Sequence, residues 1–268
     1  MPILVTENLT KRFGSLVAVD KLSITVEAGE VFGLLGPNGA GKTTTIKMLT
    51  TLISPTSGKA WVAGYDIVRQ SSAVRRKIGY VPQLISADGS LSGYENILLF
   101  AKLYDIPSKV REQLVRDTLE MMGLTDAADK LVKNYSGGMI RRLEIAESML
   151  HHPKLLFMDE PTIGLDPLAR KTVWDHVARL KADFGTTILL TTHMMEEAES
   201  LCSRVAIMHN GKIVAIGTPA DLVSSIGGEN ADLNDVFIHF TGDHLGEDEH
   251  GGTLRDISRT RRTAKRLG

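Results

Sequence analysis

Short runs of alternating apolar and polar residues fill the first thirty positions, as in Leu22-Ser23-Ile24-Thr25-Val26, and Gly14 and Gly29 punctuate them. A period of two marks half-buried strands, so this stretch predicts antiparallel strands joined by hairpins. The pattern then changes. Val31-Phe32-Gly33-Leu34-Leu35 is an uninterrupted, almost wholly apolar run, as expected of a parallel strand covered on both faces. It feeds a glycine-rich loop and a helix through Ile46, Leu49 and Ile53. Residues 86–153 read as mostly helical, with Leu114, Leu119 and Met122 at helical spacing and Pro107 and Pro153 as breaks.

After Pro153 strands and helices alternate again. An apolar strand runs to Met158, a helix starts at Pro167, a strand follows at Thr187-Ile188-Leu189-Leu190, and a helix spans Glu196 to Leu201. Asp166-Pro167 is a helix start, because Asp can accept the free amides and Pro tolerates the first helical position. That helix places Val173, Val177 and Leu180 on one face. Asn210-Gly211 between Val205-Ala206-Ile207-Met208 and Ile213-Val214-Ala215-Ile216 predicts a two-residue hairpin. The fold class is therefore α/β: a mainly parallel core, an antiparallel β region before it and a helical lobe inserted into it.

Composition narrows the setting. The 268 residues carry a formal net charge of −1, which argues against nucleic-acid binding through a broad basic field. No apolar stretch approaches the about 18 residues that span a bilayer, and the N-terminus lacks the basic flank and apolar core of a signal peptide, so a cytosolic location is expected. Cys202 is the only cysteine, so an internal disulfide or thiolate cluster is ruled out and the thiol is expected to be a small apolar filler. Residues 244–252 are acidic and 255–266 strongly basic. Such blocks are solvated, or they meet anionic lipid or a membrane partner.

The candidate chemistry follows these elements. Gly36-Pro37-Asn38-Gly39-Ala40-Gly41-Lys42-Thr43-Thr44 lies between a buried strand and a helix, the setting of a phosphate-binding loop. Its glycines let backbone amides turn toward phosphates, and the helix dipole adds to the attraction. Lys42 is expected to reach the terminal phosphates and Thr43 to coordinate Mg2+. Asp159 ends an apolar strand, so its carboxylate is delivered at the carboxyl edge of the sheet as a second Mg2+ partner. Glu160, next in line, is expected to orient the attacking water. Thr191-Thr192-His193 closes another core strand, which brings His193 to the same edge as a candidate γ-phosphate contact. Ser136-Gly137-Gly138 opens a helix: Ser136 can cap it, and two residues without side chains leave room for a phosphate.

Together these residues resemble the nucleotide-binding domain of the ABC transporter superfamily, over residues 3–222 in uninterrupted order. The resemblance implies a P-loop NTPase (RecA-like) core at about 1–85 and 154–222, a helical subdomain at about 86–153, and a C-terminal extension at 223–268. It makes residues 36–44 the Walker A loop, Gln83 the Q-loop glutamine with a catalytic and Mg2+ role, and Asp159 and Glu160 the Walker B carboxylates. It also assigns Phe13 to adenine stacking, Tyr135-Ser136-Gly137-Gly138-Met139 to the signature motif, Asp166 to the D-loop and His193 to the switch histidine. ATP and Mg2+ are the implied substrate and cofactor. A head-to-tail homodimer is implied too, in which Walker A of one chain and residues 136–138 of the other hold one ATP. The partner would be a separate membrane permease, reached through the Gln83 region and the helical lobe, with the chain on the cytoplasmic face of the membrane.

The signature departs from the usual Leu-Ser-Gly-Gly-Gln at Tyr135 and Met139, while its central Ser-Gly-Gly is intact. The Tyr-Ser-Gly-Gly-Met form, followed by Arg141-Arg142-Leu143-Glu144, and the segment Asp235-Val236-Phe237-Ile238-His239-Phe240-Thr241-Gly242 are similar to ABC-2 type drug-resistance exporters of the daunorubicin class. Related branches move polysaccharides, nodulation factors, haem-maturation components or sodium. Non-transport ABC ATPases of DNA repair or translation need coiled coils or a second cassette that this length does not hold. A non-hydrolysing assembly module shares the fold, and intact Glu160 and His193 weigh against it.

Overall fold

The computed structural model describes residues 1–227 and 231–242; the acidic and basic blocks expected at 244–252 and 255–266 lie outside the described residues. Strands β1 (Pro2–Phe13), β2 (Leu16–Leu22) and β3 (Thr25–Glu27) form an antiparallel layer. The central strand β4 (Val31–Leu35) leads through the glycine loop into α1 (Lys42–Leu49). Then come β5 (Ser57–Val62), β6 (Tyr65–Asp66), α2 (Ser71–Arg75) and β7 (Ile78–Val81), followed by α3 (Gly93–Leu103), α4 (Ser108–Met121) and α5 (Gly137–Met149) of the helical lobe. The chain returns as β8 (Leu155–Asp159), α6 (Pro167–Phe184), β9 (Thr187–Thr192) and α7 (Met195–Leu201). It continues as β10 (Arg204–His209), β11 (Lys212–Gly217), α8 (Pro219–Ile226) and α9 (Leu233–Thr241).

The principal sheet has the order β11-β10-β4-β9-β8-β7, parallel except for the β10–β11 hairpin. Alternate residues of its central strands feed two cores. Val31, Leu35, Leu156, Met158, Ile188 and Leu190 face the helical lobe, α6 and α7. Phe32, Leu34, Leu155, Phe157 and Leu189 face α1 and the antiparallel layer. Burial on both faces is why these strands are apolar throughout instead of alternating. The second sheet runs β2-β1-β5-β6, with β3 also paired to β1.

Three details depart from the sequence pattern. The run through residues 22–26 is not one strand: the buried Thr6 hydroxyl donates to the Leu22 carbonyl at 3.1 Å and accepts from the Ile24 amide at 2.8 Å, which splits it into β2 and β3. The helix expected to reach Ile53 stops at Leu49. There Thr50 donates its hydroxyl to the Ile46 carbonyl, Thr51 turns left-handed at φ 65°, and the Leu52 amide donates back to Lys47. Cys202 is the apolar filler expected of it: it lies just past α7, buried under Gly33, and burial pushes its thiol up. The expected boundary at 222 falls inside α8, and α9 packs on α8, α7 and β11 with Leu233, Val236 and Phe237 buried.

Candidate functional site

Parallel strands present their carboxyl ends along one edge, and four of them deliver the polar residues of a single cleft. The loop after β4 is held at both ends. The Gly36 amide donates to the Thr192 carbonyl at 3.1 Å, and the Gly211 amide donates to the Ala40 carbonyl at 3.0 Å. Two glycines are sterically required. A Cβ on Gly36 would strike the Met208 carbonyl, and one on Gly41, at φ 106°, would strike the Ala18 carbonyl. Lys42 is the first residue of α1 and is buried. Its Nζ donates to the carbonyls of Gly36 (2.7 Å) and Pro37 (3.1 Å) and lies 3.1 Å from Glu160 Oε1.

The two carboxylates at the end of β8 face different partners. Asp159 Oδ1 accepts from the hydroxyls of Thr191 (2.6 Å) and Thr43 (3.1 Å), while its Oδ2 is buried with no hydrogen-bond partner among the described residues. Glu160 adopts a left-handed backbone, φ 48°, which swings its side chain away from that of Asp159. Its Oε2 lies 3.3 Å from His193 Nδ1, at ion-pair distance, and 3.5 Å from Gln83 Nε2. Burial opposes ionisation of Glu160, but His193 and Lys42 outweigh it and hold the carboxyl below its usual range. Glu160 is thus kept as an acceptor in a largely water-excluded corner.

The cleft has a volume of about 710 Å³. One end is lined by Phe13, Leu16, Val17 and Ala18, the floor by Pro37, Asn38, Gly39, Ala40, Gly41, Lys42, Thr43 and Thr44, and the other end by Gln83 and Glu160. Asn210 and Gly211, the turn of the β10–β11 hairpin, complete the wall. Phe13 is half exposed there, with Lys11 Nζ 5.0 Å from its ring centre. An elongated polyanion with a flat ring at one end matches this division into an apolar mouth and a polar, amide-rich floor.

Ser136, Gly137 and Gly138 lie elsewhere. Ser136 caps α5 by accepting from the Met139 amide at 3.3 Å. A Cβ on Gly137 would sit 3.0 Å from Leu165, and one on Gly138 2.9 Å from Ala169, so this turn nests against the start of α6. Asp166 caps α6 through the amides of Leu168 and Ala169 at 3.0 and 2.9 Å. Tyr135 is buried beneath the turn, its hydroxyl donating to the Ala127 carbonyl at 2.6 Å.

Several residues here carried no role in the sequence reading. The Arg141 guanidinium donates to the carbonyls of Pro82 (2.6 Å) and Gln83 (3.0 Å) and pairs with Glu144 at 2.9 Å. Glu144 in turn accepts from the Ser86 amide (2.6 Å) and hydroxyl (3.0 Å), so α5 grips the Gln83 loop on both sides. Glu147, one turn further along α5, is buried with Oε1 unpartnered among the described residues; burial, then Glu144, push its carboxyl up to about 8. Arg141 pointed to this only through its place after the Ser-Gly-Gly turn, and Glu147 through being a charge at a position that faces the core.

The family model described as ABC transporter matches residues 19–163. The daunorubicin/doxorubicin resistance ATP-binding protein of Streptomyces peucetius is 46% identical over 222 residues, 83% of this chain and 67% of that one. The linearmycin resistance ATP-binding protein of Bacillus subtilis is 39% identical over 242 residues, 88% of this chain and 78% of that one. Among solved structures, an ATP-binding subunit of an ABC transporter superposes with a TM-score of 0.79 at 30% identity, covering 89% of this chain and 99% of that one.

Proposed function

The chain belongs to the ABC transporter family and is an ATPase, and from that premise we propose that it is the ATP-hydrolysing subunit of an ABC-2 type exporter whose permease is a separate polypeptide. The observation that carries this reading is the convergence of Lys42, Thr43, Gln83, Asp159, Glu160 and His193 on one cleft edge. The loop amides and the N-terminus of α1 cradle the phosphates of ATP, and Lys42 supplies a charge beside them. Phe13 stacks on the adenine. Glu160, held ionised, accepts a hydrogen bond from the attacking water and aligns it, with Gln83 and His193 fixing its carboxylate.

Mg2+ fits the residues present. Asp159 accepts from the Thr43 hydroxyl on Oδ1 and keeps Oδ2 buried and unpartnered among the described residues, and a cation that keeps waters and takes substrate phosphates needs few protein ligands. Thr43, Asp159 and Gln83 would hold it. Bound there, it neutralises charge developing on the phosphate oxygens.

The position of residues 136–138 outside the cleft supports a head-to-tail homodimer as part of this reading: in a second copy they would close over the phosphates of the first. No helix among the described residues is long and apolar enough to cross a membrane. In this reading the chain sits at the cytoplasmic face of the membrane against the permease. Leu84 and Ile85, directly after Gln83, and Leu99 and Leu103 on α3 are exposed large apolar side chains suited to that contact. The named relatives support a drug or lipophilic metabolite as cargo. Glu160→Gln tests the reading. Hydrolysis is expected to fall at least about hundredfold, with ATP affinity retained and the ATP-bound variant eluting as a dimer. Near-normal turnover, or an ATP-bound monomer, would count against it.

A further inference from the structure

We infer that Thr191 is a positioning residue for hydrolysis: its one hydroxyl fixes the two carboxylates of the site relative to each other. The side chain is completely buried in β9, the strand beside β8. Its hydroxyl donates to Asp159 Oδ1 at 2.6 Å and accepts from the Glu160 amide at 3.0 Å. A hydroxyl has a single proton and free lone pairs, and this pattern uses the proton on the carboxylate and a lone pair on the amide. Reversing it is impossible, because both an amide and a hydroxyl proton would then compete for one space. The orientation of the hydroxyl is therefore fully determined by its two neighbours.

Two consequences follow for the cleft. With Oδ1 taken by Thr191 and Thr43, the Asp159 carboxylate cannot rotate freely, and Oδ2 is the oxygen left without a partner. Glu160 sits at φ 48°, a backbone that side-chain-bearing residues seldom adopt, and its amide is shared between the Thr191 carbonyl at 3.1 Å and the Thr191 hydroxyl. The hydroxyl helps hold the left-handed turn that sends Glu160 toward Lys42 and His193. The carbonyl bond belongs to the main chain and survives substitution, so removing the hydroxyl loosens the two carboxylates without unpairing the strand. This inference rests on the proposed roles of Asp159 toward Mg2+ and of Glu160 toward water.

The test is steady-state ATP hydrolysis by the full chain carrying Thr191→Val, which keeps the shape and removes the hydroxyl, or Thr191→Ser, which keeps the hydroxyl. Thr191→Ala is a second hydroxyl-free variant in case valine does not fold. For Val, or Ala in its place, kcat is expected to fall about tenfold, which corresponds to about 1.4 kcal/mol. The half-saturating Mg2+ concentration should rise several-fold, both for hydrolysis and for binding of a non-hydrolysable ATP analogue measured by calorimetry, the analogue's Kd at saturating Mg2+ should stay within about twofold, and Ser should recover most of the parent values. Unchanged kcat and Mg2+ dependence in the hydroxyl-free variants overturns the proposal, as does an equal loss in Ser and Val. Asp159→Asn and Glu160→Gln in the same assay separate the two levels. If they hydrolyse normally, the reading of the site fails; if they are inactive while Thr191→Val is normal, only the role of Thr191 fails.

Discussion

Glu160 and Glu147 are both almost fully buried, 5% and 2% exposed, yet their carboxyl pKa values are pushed in opposite directions. At the sheet edge, Glu160 meets Lys42 and His193 and its carboxyl is held below the ordinary range in spite of burial. On α5, Glu147 has no ion-pair partner among the described residues. Both arginines of its helix are committed elsewhere, Arg141 to Glu144 and the carbonyls of Pro82 and Gln83 and Arg142 to the carbonyls of Met122 and Gly123, and the Glu147 carboxyl is pushed up to about 8 by burial and then by Glu144. Burial sets the same opening condition in both places, and the partners decide the outcome. A buried acid stays ionised only with cations within reach; an acid left without them behaves as a neutral hydrogen-bonding side chain at neutral pH.

The comparison breaks most sharply if Glu160 is made to resemble Glu147. Lys42→Met leaves the Glu160 charge with His193 alone, and removal of one member of a buried pair is expected to cost about 3 kcal/mol in urea unfolding at pH 7. Because the Glu160 pKa is depressed, its contribution is present above the ordinary carboxylate pKa and is lost as pH falls through the depressed value. The deficit of the variant should therefore shrink on acidification below about pH 4. The converse substitution is Glu147→Gln. With a raised pKa, the folded chain keeps a proton that the unfolded chain releases, so the parent loses stability as pH rises from the ordinary carboxylate pKa toward about 8. The variant should be more stable than the parent by about 4 kcal/mol at pH 8, with the gap closing toward pH 4. A constant gap across that range would show that Glu147 does not titrate there. The smallest effect concerns the floor beneath the Ser-Gly-Gly turn. Tyr135→Phe removes the bond to the Ala127 carbonyl, and thermal unfolding should register a loss of about 1 kcal/mol.

Much of this architecture could be read from local pattern. Strands β4, β8 and β9 declare themselves because both faces are buried, and the Asn210-Gly211 turn because both residues take positive φ, 48° and 78°. Strands β5, β6 and β7 did not. Ser57-Gly58-Lys59 opens β5 with exposed polar residues, and its pairing to β1 is a long-range fact that no window contains. The same division runs through the site. Residues 36–44 and the pair Asp159-Glu160 are contiguous, so spacing alone marks them. Thr191 and Arg141 act on partners 32 and 59 positions away, and only the sheet order and the return of α5 bring them together. Helix ends were the weakest point: the extra residues expected on α1 are cut off by Thr50 and Thr51, whose turn chemistry overrides the apolar spacing of Ile53.

The glycine loop of residues 36–44 is clamped at Gly36 by Thr192 and at Ala40 by Gly211, and the carbonyl of Gly211 accepts in turn from the Asp20 amide at 2.8 Å. A loop of this kind, free in solution, would forfeit about 1–2 kcal/mol of backbone entropy per residue on closing around a ligand. Here that loss falls on folding, where three separate strands share it. Nucleotide affinity then reflects contacts made with ATP and little of the cost of shaping the receptacle, and Asp20→Pro, which removes the amide that holds Gly211, would return part of that entropy to the binding step without touching a phosphate.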